Sequence, residues 1–161
     1  MSGPARGPAK RRRKAASRPV APPTAASLLE VAEKYIVAAC VLIEHHATPE
    51  PIGFLASHGL ELALKAFLLH SGVSVAELKR GYGHNLNELW LAAARRGLTV
   101  EFDLLWLAVL NHYYDYPYQY RYPQAGYATP LPAGEVFTRQ LRQVLQAVAT
   151  ALNTRLMGYD A

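Results

Sequence analysis

Apolar positions recur at three- and four-residue steps through most of the chain after residue 23, and no segment alternates with period two for long enough to predict a strand. Five helices are predicted. The first begins near Thr24 to Ser27 and runs to His46, with Leu28, Leu29, Ala32, Tyr35, Ile36, Ala39, Cys40 and Ile43 on its apolar face. Thr48-Pro49-Glu50-Pro51 closes it and opens the second, because proline suits a first helical turn and Thr48 or Glu50 suits the cap. The second continues to Ser71, where Gly72 is a natural stop. A third starts at Asn85, aligns Leu86, Leu89, Trp90 and Ala93, and ends at Arg95-Arg96-Gly97. A fourth covers about 101–111 with Phe102, Leu105, Trp106, Val109 and Leu110 inward. The fifth runs from about Gly134 to Leu156, carrying Val136, Phe137, Leu141, Val144, Leu145, Val148 and Leu152. Long helices with short to moderate links predict an all-α fold, an up-and-down bundle of about five helices.

Two stretches break the pattern. Within the oily run from Phe54 to Leu69, His58, Glu61 and Lys65 fall at i, i+3 and i+7, on one stripe of the second helix. An exposed Glu-Lys pair in this order contributes only about 0.3–0.5 kcal/mol, but the surrounding Leu60, Leu62, Leu64 and Phe67 predict burial, where an unpaired charge is costly and further partners are required. His84 and Arg121 are the expected distant partners. Glu61, Lys65, His84 and Arg121 therefore form a constellation with two readings: an internal polar network that fixes helix register, or the wall of a ligand site. His84 lies in the turn Tyr82-Gly83-His84-Asn85, where its ring is suited to cap the following helix or to meet a phosphate there; Asn85 is an equally good cap.

The second irregular stretch is Tyr113-Tyr114-Asp115-Tyr116-Pro117-Tyr118-Gln119-Tyr120-Arg121-Tyr122-Pro123. Six of the ten tyrosines fall here. Tyrosine buries its ring while its hydroxyl stays hydrogen-bonded, so this loop is expected to pack over the bundle or to form an interface through Tyr113, Tyr114, Tyr116, Tyr118, Tyr120 and Tyr122.

Composition changes the picture mainly at the N-terminus. With 161 residues and 51% hydrophobic content, the chain has material for one core plus a tail. The net charge of +5 is not a property of the folded part: residues 1–22 carry +7 and residues 23–161 carry −2. Residues 1–22 read as a disordered basic arm, able to hold anionic polymer weakly or merely to solubilise, and residues 23–161 as the helical domain. The arm lacks the apolar segment of a signal peptide, and no stretch reaches roughly 20 apolar residues without His, Glu or Lys intervening. Cys40 reads as a small buried hydrophobe in a reducing compartment, and the expected location is the cytoplasm, with no membrane contact.

His45, His46 and His58 are not spaced with acids or Cys40 as a metal-ligand series, so no metal and no cofactor is expected. A Gly-rich phosphate loop and a nucleophile elbow are also missing, which removes the easiest kinase, hydrolase and nucleotide-enzyme readings.

Leu60-Glu61-Leu62-Ala63-Leu64-Lys65-Ala66-Phe67-Leu68, then Gly83-His84-Asn85-Leu86-Asn87-Glu88-Leu89, then Tyr120-Arg121-Tyr122-Pro123, resemble in order the HEPN-domain group, helical proteins common in prokaryotic defence and toxin modules. The resemblance covers most of residues 24–157. It implies an up-and-down helical bundle, homodimerisation and, in many members, metal-independent RNA cleavage by an Arg and a His four to six residues apart. Here Arg121 has no histidine at that spacing, and Arg80 precedes His84 with only three residues between them. The expectation is therefore a non-catalytic HEPN-like module, with no catalytic residue assigned, that homodimerises and binds a partner protein or a nucleotide or nucleic-acid ligand such as RNA. The alternative is a divergent metal-independent ribonuclease of a toxin-antitoxin or defence system, in which His84 and Arg121 converge across the fold.

Overall fold

Six helical segments build the fold in the computed structural model, which describes residues 21–116, 118–122, 129–132 and 134–158. They are α1 (Ala25–Glu44), α2 (Pro49–His70), α3 (Val75–Glu77, running directly into a π-helical turn over Leu78–Tyr82), α4 (Leu86–Arg95), α5 (Leu104–Tyr114) and α6 (Glu135–Ala151). The fold is all-α, and no strand occurs among the described residues. The expected count of five helices is corrected by α3, which is too short to show a hydrophobic period. Its signal is a capping box: Ser74 Oγ accepts from the Glu77 N–H at 3.2 Å, and the Glu77 carboxylate accepts from the Ser74 N–H at 2.8 Å. Most of the basic arm, residues 1–20, lies outside the described residues.

Helix ends follow local chemistry more closely than hydrophobic periodicity. At the start of α1, Thr24 and Ser27 cap each other reciprocally, with side-chain-to-backbone bonds of 2.9 and 3.1 Å. Its end falls at Glu44, short of His46, because His46 takes φ 52° and the Ala47 N–H turns back to the Leu42 carbonyl at 3.0 Å. Asp103 accepts from the Leu105 N–H at 2.8 Å and so delays the start of α5 to Leu104. That helix then continues through Tyr114, making Tyr113 and Tyr114 helical and not part of a loop. Asn153, at φ 50°, ends α6 five residues before the expected Leu156, and 154–158 leave as a non-helical tail.

α1 and α2, joined by the short link 45–48, make the most extensive helix contact of the molecule. They run antiparallel, with Gly59 of α2 facing Ala32 and Ile36 of α1. α2 is the central element and also packs on α4, α5 and α6. Its length and composition alone would let it cross a membrane, yet most of it is buried inside the fold. Ile36, Leu60, Leu64, Leu89, Leu110, Phe137 and Leu141 are among the side chains that fill the core. Two expected core residues point outward instead. Leu105 is exposed because α5 buries the stripe Leu107, Leu110, Tyr114, and Val136 is exposed because α6 turns Phe137, Leu141 and Val144 inward.

Candidate functional site

Glu61 projects from the middle of α2 into a contact with the end of α5, and only 3% of the residue is exposed. Both carboxylate oxygens are spent. Oε1 accepts from the Lys65 ammonium at 2.5 Å, one helical turn on. Oε2 accepts from His84 Nδ1 at 3.1 Å and from the Tyr114 hydroxyl. Lys65 also donates to the Gly83 carbonyl at 2.6 Å, which ties α2 to the turn that carries His84. That turn depends on glycine: Gly83 has φ 53° and ψ −118°, a conformation a β-carbon disfavours.

The hydrogen positions follow from what each partner can do. An ionised carboxylate only accepts, so His84 carries its hydrogen on Nδ1. Tyr114 has one hydroxyl hydrogen and directs it to Glu61. His58 Nδ1, 2.7 Å from the Tyr114 oxygen and 3.6 Å from Glu61 Oε2, is therefore a donor to Tyr114. In both histidines the nitrogen left for other business is Nε2. The Tyr114 oxygen also accepts from the Arg121 guanidinium at 3.4 Å.

Burial by itself would raise the Glu61 carboxyl's pKa. The nearby His58 Nδ1, 3.6 Å away, the charge and hydrogen bond of Lys65, and the Tyr114 hydroxyl outweigh that and hold it well below the usual carboxylate range. Tyr114 moves the other way, because burial and the adjacent Glu61 charge push its hydroxyl above the usual tyrosine value. The network thus holds Glu61 ionised and Tyr114 protonated at neutral pH, and its one buried carboxylate is paired inside the protein with the Lys65 side chain.

Above this layer sits the loop after α5. The Tyr118 N–H donates to the Asp115 carbonyl at 2.6 Å, and the Tyr118 carbonyl accepts from the N–H groups of Arg121 and Tyr122, both at 2.9 Å. Tyr118 takes φ 62°, costly for a bulky side chain, and these bonds hold it there. The turn carries the Arg121 guanidinium over three rings, 5.3 Å from Phe54, 5.3 Å from Tyr114 and 5.6 Å from Tyr118. The His84 ring meets the same two tyrosines edge-on, at 5.9 Å for Tyr114 and 6.2 Å for Tyr118. Tyr120 anchors the loop by packing its ring against Gly53, where an added β-carbon would fall 2.3 Å from the ring; its hydroxyl and Ser57 Oγ are buried without a hydrogen-bond partner among the described residues.

Glu61, Lys65 and His84 are thus brought into direct contact, while Arg121 reaches the group through the Tyr114 hydroxyl and not through the carboxylate. His84 does not cap α4. Its ring faces Glu61, and the cap is Asn85, whose Oδ1 accepts from the Glu88 N–H at 3.0 Å. The six-tyrosine interface is corrected in part: Tyr114 and Tyr120 are buried in the chain's own core, Tyr113 and Tyr118 are half-buried, and Tyr116 and Tyr122 stand 81% and 71% exposed. Sequence reasoning placed His58 on the Glu61 stripe but did not carry it into the constellation, and it missed Phe54. The i, i+4 spacing of Phe54 and His58, whose rings stack at 5.7 Å, was the available signal.

No group of three or more His, Cys, Asp or Glu side chains among the described residues is arranged to hold a metal. Comparison with known protein families, with characterised proteins and with solved structures finds no match to this chain.

Proposed function

We propose that this chain is a non-catalytic HEPN-like module that homodimerises and binds a nucleotide or nucleic-acid ligand at the Arg121–His84–Tyr118 surface. The observation that carries the reading is the placement of Arg121. The residue is exposed, its guanidinium lies among three aromatic rings, and it makes no ion pair with a described residue, so its charge is available to a phosphate. Tyr116 and Tyr122, both exposed, belong to the same loop and offer rings on which bases stack. Because Glu61 is already neutralised by Lys65 and shielded from solvent, it does not repel an anion from this face. Homodimerisation is supported by the outward side of α5, where Leu104, Leu105 and Ala108 leave an apolar strip uncovered in the single chain.

One observation favours the alternative, a divergent metal-independent ribonuclease. Glu61 fixes His84 through Nδ1 and leaves Nε2 free, and Arg121 shares two aromatic neighbours with that ring. Nε2 would take the 2′-hydroxyl proton and Arg121 would stabilise the phosphate charge.

Both readings are tested together by titrating a labelled single-stranded RNA pool into wild type, His84→Ala and Arg121→Ala with EDTA present, following anisotropy and strand integrity. Binding weakened about tenfold by Arg121→Ala with the RNA left intact supports the module. Cleavage lost in both variants supports the ribonuclease, and a folded wild type that neither binds nor cleaves rejects both.

A further inference from the structure

His58 and His84 stand at the two ends of one hydrogen-bonded chain. His84 Nδ1 donates to Glu61 Oε2 at 3.1 Å, the Tyr114 hydroxyl donates to the same oxygen, and His58 Nδ1 donates to the Tyr114 oxygen at 2.7 Å. Both imidazoles reach solvent, with side chains 39% exposed at His84 and 24% at His58. Neither Nε2 has a hydrogen-bond partner among the described residues. An imidazole changes charge between about pH 5 and 8, so these two rings decide how the charge of the site varies near neutral pH.

The two rings are placed differently. His84 bonds the carboxylate itself, and faces Glu61 from α2, Tyr114 from α5 and Tyr118 from the loop. His58 bonds a neutral phenol oxygen and lies 3.6 Å from Glu61 Oε2. It is enclosed by Tyr35 of α1 and Phe54 of α2, at 4.6 and 5.7 Å between ring centres. Glu61 is the acid that serves both, so a proton on one ring opposes a proton on the other. That carboxylate is already paired with the Lys65 side chain on its other oxygen, and a proton on His84 therefore adds a net positive charge to this layer. Arg121 rests on the same layer. Its guanidinium donates to the Tyr114 oxygen at 3.4 Å, and it shares the rings of Tyr114 and Tyr118 with His84 and not with His58 at both contacts. An anion at Arg121 thus meets His84 as the nearer titratable neighbour, and a carboxylate on one side with an anion on the other favours the imidazolium between them.

We infer that the anion held at Arg121 is taken up together with a proton, and that the proton goes to Nε2 of His84 while Nδ1–H stays on Glu61. This rests on the phosphate-binding reading above and adds its regulation: binding strengthens as pH falls through the imidazole range and weakens as it rises. It also separates the two readings, because an imidazolium has no lone pair with which to take a 2′-hydroxyl proton. The test is calorimetric titration of the full chain with oligouridine bearing hydroxyl ends, an RNA with no group of its own that titrates in that range. Run at one pH in two buffers of different ionisation enthalpy, it reads the protons taken up per molecule bound. Net uptake is expected, with affinity about tenfold higher near pH 6 than near pH 8, the factor that one nearby opposite charge commonly gives. His84→Gln, whose amide can still donate to Glu61, should bind without uptake and without the gain at low pH, whereas His58→Gln should keep both. The inference is overturned, and the function proposed above left standing, if wild type binds this RNA with no net proton uptake, if His84→Gln retains the uptake, or if His58→Gln abolishes it. A folded wild type that binds the RNA at neither pH overturns both.

Discussion

Glu33 and Glu61 are two carboxylates buried to the same degree, at 4% and 3% exposure, on two helices of one hairpin, and they do opposite things. Glu33 is satisfied by backbone N–H groups from a tail and fastens one segment to another. Glu61 is satisfied by side chains that themselves titrate or carry charge, namely Lys65, His84 and Tyr114, with His58 and Arg121 joined through the Tyr114 oxygen. A carboxylate closed off by backbone has no chemistry left over. Glu61 fixes His84 directly through Nδ1, and His58 is fixed by way of the Tyr114 oxygen, so that Nε2 of each ring has no hydrogen-bond partner among the described residues. The kind of donor, rather than depth of burial, separates a latch from a candidate site.

The largest expected effect sharpens this contrast. Glu61→Gln leaves the part-buried Lys65 ammonium without its counter-charge and should cost about 3–5 kcal/mol in urea unfolding. The pH profile carries the same signature. Glu61's folded-state pKa is depressed, so its contribution is complete above the ordinary carboxyl value of about 4.5 and is lost as pH falls from there toward the folded value. Wild-type stability should therefore drop steeply below about pH 4.5, and Glu61→Gln should flatten that limb. An unchanged acid limb in the variant would show that Glu61 is not the charged hub.

Gly53→Ala probes how the loop is seated. The new methyl group would drive into the Tyr120 ring, and overpacking of this kind costs about 1–3 kcal/mol, partly offset by alanine's helix preference of up to about 1 kcal/mol. Because Tyr120 anchors the turn that carries Arg121, RNA affinity should fall as well. A variant of normal stability with normal binding would disconnect the anchor from the surface.

Glu33→Gln should cost less than Glu61→Gln, about 1–2 kcal/mol, because its partners are neutral and the amide oxygen still accepts from one of them. The loss should be local, seen as faster hydrogen exchange at Met157 and Gly158. Equal penalties for the two glutamates would erase the distinction drawn between them. The smallest effect, a gain of about 0.5–1 kcal/mol, is expected for His46→Gly, because His46 holds a left-handed conformation that glycine adopts without strain. Thermal unfolding measures it.

Much of the helical framework was legible in the sequence. The apolar periods placed five helices within a few residues, and Thr24, Asn85 and Gly72 marked ends that the structure uses. Three of the misjudged ends, at His46, Glu101 and Leu156, are set by a local capping or left-handed residue that a hydrophobic period does not register, while α5 runs on past Asn111 to Tyr114. α3 escaped for a related reason: a single turn has no period, only a capping pair.

What the sequence determined by itself is therefore what depends on neighbours three or four positions apart: the all-α class, the stripe of His58, Glu61 and Lys65, and the insistence that a charged pair on so apolar a helix find further partners. Only the tertiary structure decided which partners those are. His84 lies 23 residues from Glu61 and Tyr114 lies 53 away, and chain separations of that size are closed by core packing and the strained Tyr118 turn, not by local spacing.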